Sequence, residues 1–516
     1  MALMRSTAAF SAMTLLSRVA GLVRDMLQAA LFGAGPAADA FVIAYRIPNY
    51  LRRIFAEGSF AQAFVPVFAQ LRAEGNEAAL KDFVDHVAGM LCAAVLVVTG
   101  VGMLAAPVLV AALAPGTLDE PGKFELTAQM LRITFPYLFF ISLAALAAGV
   151  LNSLNRFALP AVTPVLHNLT LILAMLMLAP RFGEPIKALA WGVLVAGALQ
   201  VALLWPSLRR HGLMPRPRLR WRHPGVSRVF RLMLPTLFSS SVAQLNLVVG
   251  TLFASLLATG SQVWLYMAER LSEFPLGLFG VAVGTVILPH LSGRHAATDA
   301  RGYSHALDWG LRLVVLVALP AALGLALLAE PLTVTIFRYG RFSPEDARMA
   351  ALALQAMSLG VPAFMLTKVL APAFFARQDT RTPMRAAVIT VVANLVLTVA
   401  IVTPLWLGQV RGAHTGIALA TSLAGMLNAA LLWRWLRRTG LYRPEPGWSR
   451  LLLRAGLACL VMALVVLALR GHVGDWMQLQ APERVAWLLA AVALGALAYG
   501  GALLIAGLRP RHLREP

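Results

Sequence analysis

Two cysteines in 516 residues, Cys92 and Cys459, each alone in an apolar run, exclude a disulfide framework or a CxxC-type redox or metal site and leave packing as their role. Charge is scarce too. Only 13% of the residues are Asp, Glu, Lys or Arg, about half the share of an ordinary soluble domain. Acid is scarcer than base, 23 residues against 44, for a formal charge of +21. The ten histidines form no HExxH or comparable ligand pair, so no metal and no other cofactor is expected. What is abundant is apolar: 59% of the chain, with a mean hydropathy of +0.74.

At about 20 apolar residues per bilayer span, this pattern predicts an all-α polytopic membrane protein. Fourteen transmembrane helices are expected, centred near residues 20, 48, 98, 140, 170, 197, 243, 277, 318, 362, 393, 424, 461 and 496. The first segment also carries a signal-peptide pattern, Arg5 before an apolar run from Thr7 to Leu16. Arg18 and the Arg24-Asp25 pair occupy the places of its uncharged core and cleavage site, so a retained helix is expected. The Lys/Arg bias of the short loops puts both termini in the cytoplasm. On this reading the positive charge is mostly a topology signal. The basic run from Arg209 to Arg231 is interleaved with Pro215, Pro217 and Pro224 and has no stacking platform, which suits anionic lipid headgroups and argues against nucleic acid.

Laying the first half over the second at an offset of about 224 residues pairs Arg46 with Arg270, Phe55 with Phe279, Pro66 with Pro289, Pro160 with Pro383 and Asn168 with Asn394. Six helices per half is an even number, so the repeats are expected to be parallel, with a substrate site between them near the midplane. The chain then divides into residues 1–222 (helices one to six and the basic linker), 223–440 (helices seven to twelve) and 441–516 (two helices outside the repeat).

Charges inside these spans are the candidate site. Arg18, Arg24 and Asp25 lie in the first helix; Asp39, Asn49, Arg52, Arg53 and Glu57 lie in or beside the second; Glu269, Arg270 and Glu273 lie in the eighth. Each buried arginine costs roughly 2.5–3.5 kcal/mol to insert, so the set requires a wet cavity or acid partners. Arg53 and Glu57 have i,i+4 spacing for a pair. Pro48 and Pro275 fall at matching places and predict interrupted helices, a pointer to a transport site. One alternative is that these charges only neutralise one another. Against it stand the use of arginine throughout, which suits forked recognition of phosphate or carboxylate, and polar neighbours such as Ser17 and Asn49.

The segments Thr14-Leu-Leu-Ser-Arg-Val-Ala-Gly-Leu-Val-Arg-Asp, Phe32-Gly-Ala-Gly, Asp39-Ala-Phe-Val, Arg46-Ile-Pro-Asn and Glu57-Gly-Ser-Phe-Ala-Gln-Ala-Phe-Val-Pro resemble the MurJ (MviN) lipid II flippases. So do Ala268-Glu-Arg-Leu-Ser-Glu-Phe-Pro-Leu-Gly-Leu-Phe-Gly-Val-Ala and Phe375-Ala-Arg-Gln-Asp-Thr-Arg-Thr-Pro, which extend the likeness over nearly the whole length. That family belongs to the multidrug/oligosaccharidyl-lipid/polysaccharide exporter superfamily, with a twelve-helix, two-lobe core. The resemblance implies a bacterial inner-membrane transporter, not an enzyme, that moves undecaprenyl-pyrophosphate-linked peptidoglycan precursor outward by alternating access. It implies that Arg18, Arg24, Arg52 and Arg270 bind the pyrophosphate, and that Asp25, Asp39, Asn49, Arg53, Glu57 and Glu273 support the cavity or its gates. It also implies that the last two helices form a groove for the polyprenyl tail. Lipid II and membrane lipids are the implied partners, with the cell-wall synthesis machinery a candidate third. Some members hold sodium on acids in the seventh and eleventh helices; here those spans offer Gln244, Asn246, Asn394 and Thr398, which argues against sodium coupling.

Three rival readings compete with this one. A drug exporter of the same superfamily needs an acidic or aromatic cavity, the opposite sign. A flippase for another polyprenyl-linked oligosaccharide uses the same physics. A membrane enzyme acting on polyprenyl pyrophosphate would have to use Asp82 and Asp85, an isolated DxxD beside Lys81 that reads better as a solvated helix face.

Overall fold

The computed structural model describes residues 2–53, 60–220, 223–282 and 300–508. Helices run α1 (Ala2–Phe32), α2 (Pro36–Arg52), α3 (Phe60–Ala73), α4 (Glu77–Leu104), α5 (Ala106–Leu113), α6 (Pro121–Thr134), α7 (Tyr137–Ser153), α8 (Ala158–Leu173), α9 (Lys187–Arg210), α10 (Pro224–Ser255) and α11 (Ser261–Ala282). They continue with α12 (Ala300–Leu327), α13 (Ala329–Phe337), α14 (Pro344–Ser358), α15 (Val361–Phe375), α16 (Arg381–Leu407), α17 (His414–Arg438), α18 (Trp448–Val473) and α19 (Ala481–Ile505). No strand occurs among the described residues.

Nine helical stretches among the described residues are long and apolar enough to cross a bilayer. A tenth is the pair α14–α15, bent by 44°. These ten coincide with the expected spans centred at 98, 140, 170, 197, 318, 362, 393, 424, 461 and 496. The other four expected spans fall on α1, α2, α10 and α11, which are helical but shorter or more polar in their described parts. They include every helix that carries the candidate charges.

The chain forms two compact units, Met1–Gln262 with Tyr339–Arg341, and Val263–Arg338 with Phe342–Pro516. In the first, Phe64, Phe68 and Phe83 are fully buried where α3 meets α4 and α7, and the Phe64 and Phe83 rings stack at 5.5 Å. A second core joins α2, α6, α7 and α9 around Ile43, Leu131 and Val193. In the other unit, Leu307, Val369, Phe374 and Leu432 bury α12, α15 and α17 against one another. The α18–α19 pair meets through Met462, Val466 and Ala491, with Gly495 leaving room for Val466. Compactness groups α10 with the first unit because its N-terminal half packs on α3 and α4. The expected repeat would divide the chain earlier, at the linker, by matching sequence positions and not by compactness.

Two expectations are corrected here. The helices carrying Pro48 and Pro275 are not interrupted, since α2 runs on to Arg52 and α11 to Ala282. A single proline removes one i to i−4 bond, and the rest of the ladder carries the helix through. The basic linker is not merely a solvated segment, because its backbone is fastened to α4. Asp85 accepts from the Arg216 amide at 2.7 Å and from Lys81, and its carbonyl accepts from the Arg218 amide at 3.1 Å. A Cβ at Gly89 would lie 2.2 Å from the Arg218 carbonyl oxygen, so only glycine permits the crossing.

Candidate functional site

The site grows from α1 and α2. Arg24 and Asp25 are adjacent in sequence, and both are buried, with Arg24 only 5% exposed. Arg24 donates from Nε (3.0 Å) and Nη2 (2.6 Å) to Asp25 Oδ1, and from Nη1 to Asn168 Oδ1 on α8 at 2.9 Å. Asn168 in turn donates to the Ser17 carbonyl at 3.0 Å. Gly21 faces Asn168 at ordinary contact distance, which is why α8 lies so close to α1. In this structure the fork of Arg24 is therefore engaged by protein groups.

Arg18 and Arg53 are different. Both are half-buried, and neither side chain makes a hydrogen bond or ion pair among the described residues. Arg52, also half-buried, donates from Nε to Asn49 Oδ1 at 2.8 Å. Glu57, the expected partner of Arg53, lies outside the described residues. Beside this wall, Tyr45 and Tyr137 flank the buried His167 ring at 6.4 and 5.6 Å, placing polar edges among apolar helices.

Asp39 is buried at the far end of α2. It accepts from the Gly260 amide at 2.8 Å, in the turn between α10 and α11, and faces the buried Lys123 ammonium at 3.4 Å. Glu120 reaches the same ammonium at 3.4 Å and accepts from Thr259 at 3.3 Å. At the same junction the buried Arg46 donates to Thr251 Oγ1 and Gln262 Oε1, both at 3.3 Å, and the Tyr50 hydroxyl lies 2.8 Å from Thr251 Oγ1. Close backbone contacts complete it: the Arg341 amide donates to the Ala30 carbonyl at 2.8 Å, and a Cβ at Gly116 would lie 1.9 Å from the Ser255 carbonyl oxygen.

Arg270 belongs to the second compact unit. It lies 4.9 Å over the Tyr266 ring, donates to the Tyr266 hydroxyl at 3.0 Å and pairs with Glu273 at 3.3 Å. Arg270 is half-buried and Glu273 is exposed, so this pair is wet and adjustable where Arg24–Asp25 is dry.

Sequence reasoning missed Lys123 and gave Arg46 and Asn168 no role beyond the repeat. Asn168 was visible only as a repeated Asn, and nothing in the order of residues says that it meets Arg24. Asp82 and Asp85, the pair an enzyme would need, are spent on the linker: Asp82 faces Arg218 at 3.5 Å and His223 at 3.2 Å.

The family model described as "Lipid II flippase MurJ" matches residues 28–486. The chain belongs to this MurJ family. It is 41% identical to the probable lipid II flippase MurJ of Vibrio cholerae, covering 99% of this chain and 98% of that protein. It is also 41% identical to the lipid II flippase MurJ of Burkholderia cenocepacia, covering 100% and 99%. A solved MurJ in an inward closed conformation superposes with a TM-score of 0.79 at 26% identity, over 96% of this chain and 97% of that one. An inward-facing multidrug transporter of the MOP superfamily shares the fold at a TM-score of 0.68 and 13% identity, covering 82% and 95%. MurJ proteins are transporters, so this is a multi-pass membrane transporter and not an enzyme.

Proposed function

We propose that this protein flips lipid II from the inner to the outer leaflet by alternating access, and that Arg18, Arg24, Arg52 and Arg270 engage its pyrophosphate. The observation that carries the reading is the pair of half-buried guanidinium groups, Arg18 and Arg53, with no acid partner among the described residues of a chain this apolar. A charge that hydrocarbon penalises and that no described carboxylate compensates is stabilised by an anionic cargo and its water. Arginine offers two parallel donors to a phosphate, which lysine does not.

In this reading Arg24 is held ready. Its guanidinium stays oriented by Asp25 and Asn168 until a pyrophosphate oxygen competes for Nη1, which the flexible Asn amide can release. Asp39, Lys123 and the Gly260 amide act as an outer latch whose opening releases the head group. A membrane potential, negative inside, favours outward transfer of an anion by about 2.3 kcal/mol per charge per 100 mV. Fourteen spans with both termini cytoplasmic, the division at residues 222/223 and 440/441, and a polyprenyl tail lying along α18 and α19 complete the proposal. The cell-wall synthesis machinery remains a candidate partner.

The test is outer-leaflet exposure of lipid II in cells that depend on this protein, comparing wild type with Arg18→Ala, Arg24→Ala, Arg52→Ala and Arg270→Ala at matched membrane abundance. Each is expected to lose exposure. Unchanged exposure in all four removes them as the site. Exposure of a different polyprenyl-linked oligosaccharide, with lipid II unmoved, replaces the cargo.

A further inference from the structure

The second compact unit contains a slot of about 750 Å³, lined by α12, α15 and α17 and by only the first turns of α18, to which the transport reading assigns no occupant. That size falls within the range of small-ligand cavities, roughly 300–1,000 Å³. Its floor is buried, formed by Leu311, Ala363, Leu370, Ala429 and Tyr442, and its rim is exposed and apolar, formed by Leu359, Met426, Trp433 and Leu452. Among the described residues Arg437 is the one charged group in the lining, and no acid lines it.

The slot is polarised along its length. On α15 it extends from Leu359, just before the helix, to Leu370, and on α17 from Met426 to Arg437. Eleven residues of helix rise about 17 Å, close to the depth of one leaflet, about half of a 30 Å hydrocarbon core. One end is purely apolar. The other gathers Trp433, Tyr442, Trp448 and Arg437, the composition of a membrane–water interface. That end is also rigid: buried Asp308 accepts from the Tyr442 hydroxyl and from Trp448 Nε1, both at 2.7 Å, and from Arg312 Nε at 2.6 Å. Arg437 is exposed and lies 4.9 Å over the Trp433 ring, where its outward donors are open to an anion.

We propose that this slot is a binding site for one anionic diacyl phospholipid of the leaflet bordering the basic end, with an acyl chain in the slot and the phosphate on Arg437. Length decides against a polyprenyl chain, which would overrun a slot one leaflet deep. Sign decides against a zwitterionic lipid: Asp308 at this end is already paired with Arg312, and Arg437 with the neighbouring Arg434, Arg438 and Arg443 outweighs Glu445. The site needs only the membrane setting, so it stands or falls separately from lipid II transport.

The test is native mass spectrometry of the full chain in detergent, titrated with phosphatidylglycerol. Wild type is expected to retain one saturable lipid. Arg437→Glu is expected to bind it roughly tenfold more weakly, Arg437→Lys to fall between, and Arg434→Glu, on the same helix but outside the slot, to match wild type. Ala429→Phe, which fills the floor, is expected to abolish the adduct while thermal unfolding confirms that the variant is folded. Equal losses in Arg434→Glu and Arg437→Glu would show a diffuse surface charge and overturn the site, as would retention of the lipid in Ala429→Phe. Equal binding of phosphatidylethanolamine, or displacement by undecaprenyl phosphate, would overturn the assigned occupant.

Discussion

Arg24 and Arg270 each lie within three residues of an acid, yet their surroundings give them opposite characters. Arg24 is sealed between Asp25 and Asn168, three donors on two buried acceptors. Arg270 rests on Tyr266 with a half-exposed guanidinium and an exposed carboxylate. A dry pair is fixed because removing either partner strands a charge; a wet pair exchanges partners at little cost. The sealed arginine is therefore bound to the architecture of the first unit, and the other sits in a half-exposed, more adjustable pair.

The largest effect expected from that contrast is at Asp25. Asp25→Ala takes the carboxylate from a buried guanidinium and should cost about 3–5 kcal/mol, visible as a fall in unfolding temperature in detergent and in membrane abundance. Asp25→Ala as stable as wild type would show that Arg24 is solvated after all. Next is Arg18→Ala, which removes a cation that has no acid partner among the described residues. It should lose a charge-assisted bond to cargo worth about 1.5–3 kcal/mol, at least about tenfold in lipid II affinity, with unfolding temperature unchanged. A drop in stability matching the loss of binding would assign Arg18 a structural role.

Arg270→Lys should be milder, since lysine keeps the charge but loses the fork and the planar stacking on Tyr266; full rescue of flipping would mean that charge alone suffices. Glu273→Gln should shift stability by less than about 1 kcal/mol, because the pair is exposed. The smallest effect concerns the turn before α16. Burial works to raise the Asp379 carboxyl, but the Thr382 hydroxyl and amide, at 2.7 and 3.0 Å, hold it below the usual carboxylate value. Its contribution is present above the unfolded-state value and fades as pH falls through the lowered one. Asp379→Asn should accordingly lower thermal stability slightly at neutral pH and flatten its acid limb, so that variant and wild type converge at low pH.

The membrane class and ten of the spans were legible because a run of about 20 apolar residues has few other uses. The candidate arginines were legible for the complementary reason, that charge in such a run is costly. Pairing was not. Asp25 beside Arg24 suggested a pair, but the decisive third group, Asn168, is 144 residues away. Lys123 against Asp39 was hidden in the same way, 84 residues apart across α2 and α6. Pro48 and Pro275 misled because local chemistry predicts a break, while neighbouring helices hold the segment helical.

By itself, then, the order of residues determined that the chain is a bundle of apolar helices, that its unusual charges are arginines, and that its motifs are those of MurJ. Those are properties of composition, spacing and residue identity along one dimension. Which arginines are spent and which are open was decided only by tertiary structure, as were the clasp of the linker on α4 and the one-leaflet slot beneath Arg437. Each depends on which side chains from distant helices meet, and that is fixed by packing in three dimensions.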